Sequence, residues 1–275
     1  MSPNVNFTSH RRREGLDDSE AVEQTLDHIA KDLEHLGVRA GGVLLVHSSL
    51  SSMGYVLGGA QTVIKALRRA LGPDGTLLMP ALSYEHVTSK NPVFDVRRTP
   101  SNVGVIPETF RRQRSTLRSV HPTHSVCGVG AQAEALLADH HRDTTPCGPN
   151  SPFRKLPTVG GQILMLGCGL RPNTSIHAIE ELVVPPYLFG PPMTYSIIGH
   201  DGTIQDRVYT PHNFQGYVQR YDRVARILKP PALIQGQVLE ADAFLVEASE
   251  LWKVARSVLE QNPLAFVERT GPTPS

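Results

Sequence analysis

The chain has 275 residues, with 27 Lys and Arg against 26 Asp and Glu. That near-neutral balance excludes bulk binding to nucleic acid or to an anionic membrane, both of which need a basic surplus. An apolar fraction of 40% with 23 Gly and 22 Pro describes a turn-rich globular chain, and three scattered cysteines (Cys127, Cys147, Cys168) with no C-x-x-C pair supply neither a disulfide framework nor a structural zinc site.

Residues 1–18 read as a flexible N-terminal arm, polar and without the apolar centre of a signal peptide. Arg11, Arg12 and Arg13 give it local charge, which suits either a partner contact or a plain solvated tail. No apolar run reaches the length of a membrane span, so the expected protein is cytoplasmic, with no membrane or nucleic-acid partner. Residues 19–275 are expected to form one domain.

Ser19 opens a helical pattern, with Val22, Leu26, Ile29, Leu33 and Leu36 at 3–4 spacing and Gly37 as the stop. Val43 to Val46 is a continuous apolar run between Gly41-Gly42 and His47-Ser48-Ser49, which predicts a strand buried on both faces. A second helix is expected from Gly59 to Leu71, then a turn at Gly72-Pro73-Asp74-Gly75 and a second buried strand over 76–79. This spells a right-handed βαβ unit, and ligands in such sheets sit beyond the carboxyl ends of the strands. His47, Ser48 and Ser49 hold that place after the first strand, and Ala81 to Tyr84 after the second.

Residues 85–125 read as irregular and Pro-punctuated, and loops of that length are usually functional or mobile. A short helix is expected over 131–140, a third buried strand over 162–166, and a helix over 173–183 capped by Asn173, Thr174 or Ser175. The last third predicts a hairpin over 193–209 around Asp201-Gly202, an amphipathic helix over 214–228, strands within 232–247 and a closing helix over 249–261.

Three segments offer chemistry. The Gly- and Ser-rich stretch from His47 to Gly59 joins a strand to a helix. It suits either a phosphate cradle of backbone N–H groups or an ordinary loop. His121-Pro122-Thr123-His124-Ser125 is a rigid polar loop. His121 and His124 could touch a metal, but no third ligand lies near in sequence, and no metal is expected. On a helix, Thr174, His177 and Glu180 or Glu181 share a face by 3–4 spacing. That set offers a hydroxyl, an imidazole base and a carboxylate to orient it, which suits proton removal from a nucleophile. An exposed His–Glu pair on a capped helix is the plain alternative.

These motifs resemble the aminoglycoside 3-N-acetyltransferase family, whose antibiotic N-acetyltransferase fold is distinct from GNAT enzymes. The resemblance rests on His47-Ser48-Ser49-Leu50 through Gly58-Gly59-Ala60-Gln61-Thr62-Val63, on His121 to Val126, and on Ser151-Pro152-Phe153, Gly161 to Gly167 and Asn173 to Glu180, and covers residues 20–230. It implies an α/β fold: a single domain with a central mixed sheet flanked by helices. It implies acetyl-CoA or another acyl-CoA as donor, with contacts from His47, Ser48, Ser49, Leu50, Tyr55, Val56 and Gly58, and from His121, Thr123 and Ser125 along the channel. His177 would be the general base, Thr174 would steady the tetrahedral intermediate, and Glu180 (first choice) or Asp222 (second) would orient the imidazole. Tyr84, Glu85, Glu181 and His212 are expected on the acceptor side. No covalent acyl-enzyme is required, so none of the three cysteines need act.

One departure stands out. The better-known members carry an acidic stretch in the C-terminal third, where this chain reads Pro211 to Arg223 with two Arg and one Asp. A surface built for a polycation should be acidic. Two enzymatic readings therefore stay open: acetylation of an aminoglycoside or amino sugar, or acylation of another amine. A non-enzymatic CoA binder and a hydrolase are further alternatives. The expected partners are a small amine and acyl-CoA, in a monomer or homodimer.

Overall fold

A computed structural model of the chain describes residues 18–271. The arm expected over 1–18, with its three arginines, lies outside the described residues except for Asp18, which opens the first helix. In chain order the elements begin with α1 (Asp18–Leu36), β1 (Val43–Ser48), α2 (Gly59–Leu71), β2 (Thr76–Pro80) and β3 (Val93–Asp95). They continue with α3 (Val105–Arg111), β4 (Leu117–Arg118), β5 (Val126–Gly130), α4 (Ala133–Leu137), α5 (Pro152–Lys155), β6 (Gln162–Leu166) and α6 (Ser175–Val183). The last third holds β7 (Met193–Ile198), β8 (Ile204–Tyr209), β9 (Tyr217–Gln219), β10 (Leu233–Val238), β11 (Ala241–Glu247), α7 (Ala248–Gln261) and β12 (Val267–Arg269).

The main sheet has the order β10-β11-β6-β1-β2-β5-β4. Its centre, β6-β1-β2, is parallel, and its outer strands run antiparallel, so the sheet is mixed. The apolar runs are continuous because both faces are covered. Leu44, Val46, Leu77, Met79, Leu164 and Leu166 point into the layer shared with α1 and α2. Val43, Leu45, Leu78, Ile163 and Met165 alternate into the opposite layer, shared with α6 and α7. This is the period-2 alternation of a strand expressed twice, once per face.

β1 sits between β2 on one side and β6 on the other. The chain reaches these two neighbours by separate crossovers, so the carboxyl end of β1 lies at the point where the direction of winding changes. A crevice is expected there, and His47 and Ser48 end that strand.

Two expectations are corrected. Residues 85–125 are not irregular throughout. Val93–Asp95 pairs in parallel with β7 to build a small sheet, β3-β7-β8, over a core of Val87, Phe94, Val96, Tyr195, Ile197 and Tyr209. Residues 214–228 are not one helix. Tyr221, Val224 and Leu228 are buried as a helix would bury them. However, Phe214 and Gly216 adopt positive φ, Tyr217–Gln219 pairs with β12, and only Tyr221–Arg226 coils, as a 3-10 turn.

Gly130 closes β5 at φ +120°, opposite Thr76. A Cβ there would lie 2.1 Å from the Gly75 carbonyl oxygen and 2.7 Å from the Thr76 Cα, both rigid backbone. Gly130→Ala is therefore expected to cost about 2–3 kcal/mol of stability. A lower urea midpoint at unchanged m-value checks this.

Candidate active site

A cavity of about 610 Å³ opens at the carboxyl ends of the parallel strands. His47 and Ser48 from β1, Pro80 and Leu82 after β2, and Cys168 after β6 form its sheet side. Thr174 and His177 enter from the start of α6, His124 from the loop before β5, and His212, Phe214 and Tyr221 from the C-terminal third. A second space of about 520 Å³, bounded by Ser48 to Ser51, Gly54 to Val56 and Gly104-Val105, shares Ser48 with the first.

His177 is the most elaborately held side chain of this cavity. Its Nδ1 lies 3.0 Å from Oε2 of Glu180, one helical turn on. Glu180 is fully buried and also accepts hydrogen bonds from the hydroxyls of Tyr221 (2.8 Å, to Oε2) and Tyr187 (2.8 Å, to Oε1). The Tyr221 hydroxyl is also 2.8 Å from His177 Nδ1. Glu180, already accepting from two hydroxyls, can also accept a hydrogen bond from Nδ1–H, and in that tautomer Nε2 keeps a free lone pair on a cavity-lining ring. Burial, then the Glu180 charge, pushes the Tyr187 and Tyr221 hydroxyls above their ordinary value, so both stay protonated donors.

Thr174 borders the cavity beside His177, and its hydroxyl makes no capping bond to α6. Asn173 does that work instead, accepting from the Ser175 amide at 3.1 Å. A second imidazole–carboxylate pair stands next to the first. His212 Nε2 is 2.8 Å from Glu181 Oε1, and the rings of His177 and His212 are 4.8 Å apart. Burial holds His212 and His124 well below the ordinary imidazole value, with neighbouring histidines adding to the effect. Burial first, then His177, lowers His47 to about 3.

The sequence-derived site divides cleanly. His47, Ser48, Tyr84, Thr174, His177 and His212 line the main cavity, and Ser48, Ser49, Leu50, Tyr55 and Val56 line the adjoining space. Gly58 borders neither; it caps α2 in a left-handed conformation. His121, Thr123 and Ser125 are buried behind the wall. His121 Nδ1 accepts the backbone amides of Thr123 and His124, which makes it a pin for the loop. Ser125 bridges Arg118 Nε and the Ala81 carbonyl. Glu85 is exposed and away from the cavity.

Glu181 is engaged by the Thr145 hydroxyl, the Cys147 amide and His212, so it stands behind His212 and is closed to an acceptor. Asp222 is corrected as a partner of His177: it pairs with Arg220, and its neighbour Tyr221 faces His177 instead. The residues missed from sequence are Tyr221 and Tyr187, together with Arg171 and Phe214 on the wall. Burial raises the Cys127 thiol to about 12 and Cys168 to about 11, so neither is a ready thiolate near neutrality.

The family model described as aminoglycoside 3-N-acetyltransferase matches residues 45–260. The chain belongs to this family. It is 35% identical to aminoglycoside N(3)-acetyltransferase IV of Salmonella sp over 238 residues, covering 86% of this chain and 87% of that enzyme. Identity is 36% with aminoglycoside N(3)-acetyltransferase VIII of Streptomyces fradiae, over 62% of this chain and 67% of that one. A solved structure of AAC-IIIb as a binary complex with CoASH superposes with a TM-score of 0.76 at 30% identity, covering 90% of this chain and 98% of that one. This family member is accordingly an acyltransferase, and its mixed sheet flanked by helices is that of its structural relatives. No helix among the described residues is long and apolar enough to cross a membrane.

Proposed function

We propose that this acyltransferase moves an acetyl group from acetyl-CoA to an amine of an aminoglycoside or related amino compound, by direct attack assisted by a general base. The observation that carries the reading is the imidazole of His177, locked through Nδ1 by a buried carboxylate and presenting Nε2 to a cavity. An amine attacks only with its lone pair free, so a base that removes its proton contributes directly. Glu180 offsets the charge His177 gains. Thr174, one turn back on the cavity wall, would donate to an oxyanion developing on the attacked carbonyl.

The donor supplies its acyl group as a thioester. The space along Ser48 to Val56 meets the main cavity at Ser48, so a long donor can lie in one and end in the other. Ser48 Oγ and His47 Nε2 are buried there without partners. Polar groups of the pantetheine arm would satisfy them, which supports the fit. Residues 19–275 would then act as one catalytic unit.

A second reading, acylation of a less cationic amine, is favoured by one observation. Among the described residues, the cavity wall carries no carboxylate and includes Arg171. Glu180 and Glu181 stand behind the histidines, already paired. A polycation would lose water there without gaining a negative partner.

Thiol release from acetyl-CoA across aminoglycosides, amino sugars and simple monoamines tests both. Turnover with an aminoglycoside carries the first reading. Turnover confined to other amines carries the second. Acceptor-independent release, or none at all, sinks both.

A further inference from the structure

We propose that His124, His177 and His212 form a binding site for one divalent transition-metal ion of zinc's ligand preference, and that filling it silences His177. One ring nitrogen from each of the three histidines lies within 4.8 Å of the other two. The ring centroids stand 4.8, 5.3 and 5.9 Å apart, and all three side chains line the cavity.

What marks the cluster as a site is that the other nitrogen of every ring is already engaged. His177 Nδ1 is held by Glu180, His212 Nε2 by Glu181 at 2.8 Å, and His124 Nδ1 by the Thr123 hydroxyl at 2.9 Å. Metal-bound histidines are held in this way, with a carboxylate or another acceptor fixing the tautomer from behind. The nitrogens left over are His177 Nε2, His212 Nδ1 and His124 Nε2. His212 Nδ1 is buried with no hydrogen-bond partner, on a side chain only 4% exposed. A buried lone pair without a donor is costly, and a cation would satisfy it.

The electrostatics agree. Two carboxylates directly behind the ligands offset the incoming charge. Zinc–nitrogen bonds of about 2.0–2.1 Å in a tetrahedral array place nitrogens about 3.4 Å apart. The rings must therefore close by about an ångström, a modest rotation for side chains around an open cavity. Three protein ligands with a fourth position open to that cavity is a common arrangement for accessible zinc. A metal on His177 Nε2 occupies the lone pair that would take the amine proton. That silencing clause rests on the proposed role of His177, whereas metal binding does not.

The test uses the full chain, freed of metal by chelation, titrated with Co2+ as a spectroscopic probe and then with Zn2+ in competition. The expected result is about one equivalent of Co2+, with visible absorption of a four- or five-coordinate nitrogen site, displaced by Zn2+. His124→Gln and His212→Gln should each weaken binding at least about tenfold. Thr123→Val, which removes only the group behind His124, should weaken it less. Thermal melts confirm that each variant is folded. Zinc should stop acetyl transfer at the same concentrations, and EDTA should restore it. Absence of the visible band, or Co2+ affinity unchanged in folded His124→Gln and His212→Gln, overturns the metal site. Binding that behaves as expected while zinc leaves turnover untouched keeps the site and overturns the role of His177 as base.

Discussion

Glu180→Gln will lower kcat by about 10²–10⁴-fold while leaving the KM for acetyl-CoA nearly unchanged. Glu180 is completely buried and accepts from His177 Nδ1, Tyr221 and Tyr187 at 2.8–3.0 Å. A glutamine can enter this cage in two orientations. With its NH2 toward His177, it donates to Nδ1 and drives the imidazole into the opposite tautomer, so that Nε2 carries a proton and faces the cavity as a donor. With its oxygen toward His177, the tautomer survives, but the charge that stabilises the imidazolium is gone. Both outcomes attack the proton-transfer step, and neither touches Ser48 or the space beside it. A kcat within threefold of the wild type in steady-state kinetics would remove Glu180 from the reaction.

A second large effect concerns acid. His47 and His140 are buried and held neutral, each lowered to about 3, with burial as the main cause. Burial also holds His121, His124 and His212 well below the ordinary value. Released into the unfolded chain, each returns to about 6.5. The unfolded state therefore binds more protons below that pH, and stability falls as pH drops from 6.5 toward 3. At pH 5 His47 and His140 each cost about 2 kcal/mol. Together they remove about 4 kcal/mol, and the other three act in the same direction, against a total of about 5–15 kcal/mol for a typical fold. Cooperative acid unfolding that is complete by pH 4 is expected in far-UV circular dichroism. Native signal and a sharp thermal transition at pH 4 would show that these rings are not held neutral.

The parts of the fold legible in the sequence are those where a local rule and the tertiary environment agree. The run Val43 to Val46 is apolar throughout because helices cover both faces of β1, and β6 reads the same way. Gly58 and Gly72 bracket α2 because both take positive φ. Thr174, His177 and Glu180 were readable as one face because helix geometry alone brings them together.

The rest of the site depends on residues far apart in sequence. Tyr221 reaches Glu180 across 41 residues, and His212 reaches Glu181 across 31. No spacing rule announces such contacts. Asp222 shows how narrow the margin is. The right turn of chain approaches His177, but the 3-10 geometry over Tyr221–Arg226 presents Tyr221 and leaves Asp222 to Arg220. The loop His121 to Ser125 misled differently. Its polar residues hold the loop from within, and only His124 reaches the cavity.

The most direct test of the account measures two quantities on wild type and His177→Ala together: acceptor-dependent thiol release from acetyl-CoA, and CoA affinity by calorimetry. The account predicts that the variant binds CoA as tightly as wild type and loses acceptor-dependent release by about 10²–10⁴-fold. Release at the wild-type rate from a folded His177→Ala protein would contradict it, because the base would then have to be another group.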